Sequence, residues 1–139
     1  LALPKVAILS AVETVTSKLQ STLDAAALCK MADRGQITGG LLDGPLAFDN
    51  AVSPEAATEK ELVSPVAGVA DILVVPDLVS GNILAKQLTF LAGADAAGIV
   101  VGARVPIILT SRSDPETARI ASCAVAVVMA YAATRSISS

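Results

Sequence analysis

SPVAGVADILVVPDLVSGNILAK, residues 64–86, is the stretch whose reading decides the fold. Its centre, Asp71-Ile72-Leu73-Val74-Val75, is a short apolar run rich in β-branched residues and predicts a buried strand. Pro76-Asp77 breaks that strand, and Val79-Ser80-Gly81-Asn82 is expected as a turn. A helix is expected from Asn82 to about Gly93, with Leu84, Leu88 and Leu91 along one side. Strand, polar turn and helix form the unit of an open α/β sheet, whose ligands sit beyond the carboxyl ends of the strands. Residues 105–118 repeat the arrangement, with Thr110-Ser111-Arg112-Ser113-Asp114 at the turn. Function is expected at these two turns.

Working outward, residues 5–10 read as a short buried strand. A polar loop, 13–17, leads to a helix over about 18–33 whose apolar face is Leu19, Leu23, Ala26, Ala27 and Cys29. Gly35 suits its C-terminal stop. Residues 37–42 are a second strand candidate, weakened by Gly39-Gly40 and broken by Gly44-Pro45. Residues 46–52 read as a short helix or irregular turn. Ser53-Pro54-Glu55 has the form of a helix start, with Ser as N-cap, Pro at the first position and an acid in the first turn, and that helix should run to about Leu62. Residues 97–102 and 105–110 are further strands. Asp114-Pro115-Glu116 opens a last helix ending near Thr134, with a fraying tail after Arg135. Uniformly apolar strands alternating with helices predict an α/β fold with a mostly parallel sheet and flanking helices.

The 139 residues are 53% hydrophobic and 17% charged, which excludes disorder, and only 2% aromatic, so the core must be aliphatic. There is no His, which removes the commonest general base and metal ligand, and no metal site is expected. The net charge of −3 has no block of like charges, so no nucleic-acid partner is expected. Cys29 and Cys123 are expected to be buried free thiols in a reducing compartment. The longest charge-free apolar run, 120–134, is too short to span a membrane, so no membrane partner is expected. The N-terminus does not read as a signal peptide, and its lack of Met hints at a fragment or processed product.

Three clusters could carry chemistry. Asp77, Gly81, Asn82 and Lys86 surround the first turn; Asn82 and Lys86, four apart, share a helix face that begins where free N–H groups could bind an anion. Alternatively, Ser80 or Asn82 simply caps the helix and Lys86 is solvated. Ser111, Arg112 and Asp114 surround the second turn, where a guanidinium, a hydroxyl and helix-end N–H groups suit phosphate. Asp114 could equally act as the helix cap ahead of Pro115. Asp43, Gly44, Asp49 and Asn50 could flank a site or merely make local turns.

The runs GPLAFDNAVS (44–53), SPVAGVADILVVPDLVSGNILAKQL (64–88) and AGIVVGARVPIILTSRSD (97–114), with the Ser/Ala-rich last helix, resemble the phosphate acetyl/butyryltransferase family, its butyryltransferase branch in particular. The likeness covers nearly the whole chain and corresponds to the C-terminal part of longer enzymes. It implies an isocitrate/isopropylmalate dehydrogenase-like fold of two domains with a cleft, residues 1–104 forming mainly the second domain and 105–139 returning to the first. It implies interconversion of acyl-CoA plus phosphate with acyl phosphate plus CoA, acetyl or butyryl. CoA is then a substrate, no cofactor is bound, and the enzyme is a cytoplasmic homodimer. By position, Ser111 and Arg112 match the family's Ser-Arg pair, with Arg112 on the phosphate; Asn82 and Lys86 match its Gly-Asn turn and helix; Asp49 lies in its acidic loop. Ala118 stands where the acetyltransferase branch has an Asp proposed as base, leaving Asp114 or Glu116 as substitutes. A second reading is a non-catalytic acyl-CoA-binding or dimerisation domain. A dehydrogenase is disfavoured, because no dinucleotide fingerprint is present.

Overall fold

The computed structural model describes residues 3–136, with side chains through Ala133. The chain divides into two compact units, Leu1–Ile83 and Leu84–Ser139.

The first unit is built on a three-stranded parallel sheet. β1 (Lys5–Leu9) lies centrally between β2 (Leu41–Leu46) and β3 (Ile72–Val74). α1 (Gln20–Asp33) is the crossover from β1 to β2 and packs on both. Its end is a Schellman motif: Gly35 N–H donates to Ala32 O at 2.9 Å and Gln36 N–H to Met31 O at 2.9 Å, with Gly35 at φ 71°. α2 (Phe48–Val52) and α3 (Pro54–Glu59) lead from β2 to β3. Ser53 caps α3, accepting from Ala56 N–H at 3.2 Å. The core is Ala7, Ile8, Leu9, Ala25, Leu46, Ala51, Ala57 and Val66, entirely aliphatic.

Four sequence expectations shift here. The buried residues of α1 are Thr22 and Ala25, while Leu23 is exposed. Thr22 tolerates burial because its hydroxyl donates to the Thr16 and Leu19 carbonyls and accepts from Thr16 N–H. β2 starts at Leu41 and runs through Gly44-Pro45, expected as a break. A Cβ on Gly44 would lie 2.6 Å from Ile8 O, so glycine lets the two strands close, and Pro45 is tolerated because β2 is an edge strand. α3 stops at Glu59, short of Leu62. β3 is three residues long, and its Ile72 and Val74 are exposed, because it pairs only with β1 and nothing in this unit covers that face.

α4 (Leu78–Phe90) passes from the first unit into the second and has no buried residue; Leu88 and Leu91, expected on an apolar side, are exposed. β4 (Ile99–Val100) and β5 (Ile107–Ile108) form an antiparallel hairpin rather than parallel strands. Gly98 permits it, since any Cβ there would overlap Leu109 O. α5 (Glu116–Ser136) packs on both strands, burying Ala118 and Ser122; Gly98 N–H donates to Ser122 Oγ at 3.0 Å. The expected tail after Arg135 lies, past Ser136, outside the described residues.

The helix window Glu116–Ala133 is long and apolar enough, by length and composition, to cross a membrane, with a mean hydropathy of 1.3. The charge-free run read from sequence was shorter because it excluded Glu116 and Arg119 at the start of this helix.

Candidate functional site

The first turn is tighter than expected. α4 begins at Leu78, so Val79, Ser80, Gly81 and Asn82 lie inside the helix. The cap is Asp77: its Oδ1 accepts Ser80 N–H at 2.8 Å, and its carbonyl accepts Ser80 Oγ at 3.2 Å and Gly81 N–H at 3.1 Å. The Ser80 N–H, then the Ser80 side chain, hold the Asp77 carboxyl below the usual carboxylate range. Neither Ser80 nor Asn82 is the cap, and the helix-end N–H groups belong to residues before Asn82. Gly81 lets α4 approach β3's end, since a Cβ would sit 2.8 Å from Val75 Cγ2. Asn82 and Lys86 are exposed and one turn apart on α4, as their spacing predicts. Lys86 Nζ stands 5.9 Å from the centroid of Phe90.

The second turn joins β5 to α5. Asp114 Oδ2 accepts Ser111 N–H at 2.6 Å, so the carboxylate closes the loop. Ser111 Oγ lies 3.1 Å from Ser113 Oγ. The Asp114 carbonyl accepts Arg119 Nη1 at 2.8 Å. Arg112 is exposed, and among the described residues it has no ion-pair or hydrogen-bond partner. Its guanidinium is open to an anion.

The third cluster is an ion-pair network. Lys60 Nζ lies 2.6 Å from Glu13 Oε1 and 3.1 Å from Asp49 Oδ2. The fully buried Asn50 donates from Nδ2 to Glu13 Oε1, while its Oδ1 has no partner. The Lys60 ammonium is the chief cause holding Glu13 and Asp49 below the carboxylate range, and Glu13 in turn raises Lys60. Asp43 Oδ1 accepts its neighbour's N–H, that of Gly44, at 2.8 Å. Asp43 and Asp49 therefore each serve local contacts. Glu13 and Lys60, missed from sequence, are 47 residues apart, and no spacing rule links them.

Asp49, Asp77, Gly81 and Asn82 belong to the first unit, and Lys86, Ser111, Arg112 and Asp114 to the second. Within the second unit lies a cavity of ≈ 570 Å³, lined by Thr89 and Phe90 of α4, Ala94, Asp95 and Ala96 after it, Ser113, Asp114 and Pro115 of the loop, and Thr117, Ala118 and Ala121 of α5. Its titratable side chains are Asp95 and Asp114. The sequence reading missed Phe90 and Asp95; an aromatic in a chain that is only 2% aromatic was the available signal. Neither cysteine is fully buried: Cys29 is half-buried and Cys123 exposed, and both are free. Burial first, then the Asp43 and Asp33 charges, push the Cys29 thiol up to about 11.

Solved and curated relatives share this chain's sequence and fold. A phosphate acetyltransferase of Rhizobium meliloti is 70% identical over 132 residues, covering 95% of this chain and 41% of that protein. A phosphate butyryltransferase of Clostridium acetobutylicum is 48% identical, covering 91% and 42%. The crystal structure of a branched-chain phosphotransacylase from Enterococcus faecalis V583 matches with a TM-score of 0.79 and 39% identity, over 91% of this chain and 45% of that one. The chain thus spans less than half the length of these relatives. Residues 1–127 match the phosphate acetyl/butaryl transferase family, and to that family the chain belongs.

Proposed function

We propose that the protein of which this chain is a part transfers an acyl group between CoA and phosphate. The reading rests on Arg112, an unpaired guanidinium in a loop fixed by Asp114 and next to a ≈ 570 Å³ cavity. In the forward direction the CoA thiol loses its proton and its sulfur attacks the acyl-phosphate carbonyl carbon. The carbon–oxygen bond to phosphate breaks, and the proton ends on the departing phosphate. Arg112 offsets the charge on that phosphate, and Ser111 offers a hydroxyl at the reacting centre. Asp114, with one carboxylate oxygen committed to Ser111 N–H, holds the loop in shape. Asn82, Lys86, Asp77, Gly81 and Asp49 are the substrate-side candidates. Among them Asp77 and Asp49 act through structure, as helix cap and Lys60 partner.

Acetyl is the favoured acyl group, because identity is 70% to a relative named for acetyl transfer and 48% to one named for butyryl transfer. The two-domain, isocitrate dehydrogenase-like architecture, the homodimer and the cytoplasmic location remain part of this reading and rest on the family resemblance. The alternative, a domain that binds acyl-CoA or dimerises without turnover, is favoured by Ala118, which lines the cavity with a methyl group where a base would be useful. Release of CoA from acyl-CoA by the full-length protein, followed with a thiol reagent, decides between them. Phosphate-dependent release supports transfer, and CoA binding without release supports the alternative.

A further inference from the structure

α5 begins at Glu116 with Pro115 as its N-cap, whose carbonyl accepts Ala118 N–H at 3.1 Å and Arg119 N–H at 3.3 Å. Asp114 therefore lies just outside the helix, and its carbonyl takes no backbone N–H among the described residues. Its partner is the Arg119 guanidinium, which reaches back over the first turn and donates from Nη1 at 2.8 Å. Arg119 is exposed and forms no ion pair among the described residues. A cation in the first turn of a helix is opposed by the macrodipole, so the stability of α5 does not account for an arginine there. A donor aimed at the carbonyl ahead of the helix does.

Asp114 is also the residue that closes the Arg112 turn. Its N–H donates to Ser111 O at 3.1 Å, and Ser111 N–H returns to Asp114 Oδ2 at 2.6 Å. Residues 111–114 thus form a turn bonded at both ends, with Arg112 at its second position. The turn's remaining bonds, between Ser111 and Ser113, are internal to it. Among the described residues, Arg119 is the side chain that ties this turn to α5. We infer that Arg119 is a positioning residue for Arg112: by holding the Asp114 carbonyl it fixes the turn on the helix, and so fixes where the Arg112 guanidinium meets phosphate. This rests on the proposed acyl transfer for what Arg112 binds and on the hydrogen bonds for the chain of contacts. Misplacing a group by about 1 Å can cost on the order of 100-fold in rate, so a bond to one carbonyl reaches the reaction without touching the reacting atoms.

The test uses the full-length protein, with kcat and the KM values for phosphate and acyl-CoA measured separately. Arg119→Met lowers kcat/KM for phosphate about 10-fold and leaves the KM for acyl-CoA unchanged, in a protein whose circular dichroism matches the wild type. Arg119→Lys, which keeps a cationic donor, recovers most of that loss. In an Arg112→Ala background Arg119→Met costs less than about 2-fold, because the group it acts through is gone. Undiminished activity in Arg119→Met, no recovery with lysine, or an equal loss in the Arg112→Ala background overturns the inference. If the wild-type protein shows no phosphate-dependent CoA release, the transfer reading has failed by itself. Equilibrium binding of inorganic phosphate then still decides the role of Arg119. Binding that Arg119→Met weakens in the wild type, and does not weaken further in Arg112→Ala, upholds it. Equal binding in Arg119→Met and wild type, or no binding by the folded wild type, overturns it.

Discussion

Arg112 carries a full charge on a loop whose own carboxylate is occupied elsewhere. Asp114 spends an oxygen on Ser111 N–H at 2.6 Å and forms no ion pair with Arg112, so the guanidinium keeps its five donors for a ligand. In the proposed transfer, removing it would leave the departing phosphate without its counter-charge. Arg112→Ala is therefore expected to lower acyl transfer about 100- to 1,000-fold, measured as kcat/KM in the full-length protein with the fold checked by circular dichroism. A second residue-scale expectation concerns Cys29. With its thiol pushed up to about 11, it is almost wholly protonated at pH 8 and a poor nucleophile. Alkylation at pH 8 followed by peptide mass spectrometry should leave Cys29 largely unmodified, and rapid labelling would contradict the burial that raises it. At this scale the sequence was informative where a residue acts through its neighbours. Ser53 is a cap because Pro54 and Glu55 follow it, and Gly35 ends α1 because the helix needs a left-handed residue there. It was silent on Thr22, whose burial depends on carbonyls of the preceding loop.

At the scale of elements, the first unit stands on the close approach of β1 and β2. Gly44→Ala puts a methyl group 2.6 Å from Ile8 O and 2.8 Å from its Cβ. The expected loss is about 1–3 kcal/mol, read by urea denaturation of the full-length protein. The Glu13–Lys60–Asp49 network joins the segment after β1, the helix α2 and the C-terminal end of α3. Glu13 and Asp49 have folded pKa values below their unfolded ones, so their contribution is present above the unfolded carboxylate range. It is lost as pH falls through the folded values. Lys60→Met should therefore lower stability at neutral pH and flatten its decline on acidification below about pH 4.5. An unaltered acid limb would contradict the network. Element type was legible almost throughout, but boundaries moved where long-range contacts decide. β2 crosses Gly44-Pro45 because Ile8 accepts a glycine beside it. α4 starts early because Asp77, rather than Ser80, finds the free N–H. The antiparallel hairpin was not legible, since β4 and β5 are equally apolar in either direction.

For the molecule as a whole, the surface left open agrees with a chain spanning less than half the length of its relatives. β3 shows Ile72 and Val74, α4 buries nothing, and α5 exposes Ile120, Val127 and Val128. Exposed apolar area of this kind is characteristic of interaction surfaces. The 139-residue chain alone is accordingly expected to be nearly inactive, with full activity only in the longer protein; turnover at enzyme-like rates by the pure fragment would contradict this. That a strand is followed by a helix at residues 72–90 was legible from the spacing, although the residues read as the first turn lie inside α4. The Phe90 cavity was not, because it forms from residues 89–121 only after α5 packs on its hairpin. The most direct measurement is CoA release from acetyl-CoA by the full-length protein, with and without phosphate. The account predicts release that requires phosphate and falls by orders of magnitude in Arg112→Ala. Release independent of phosphate, or none from a folded protein that binds CoA, would contradict it.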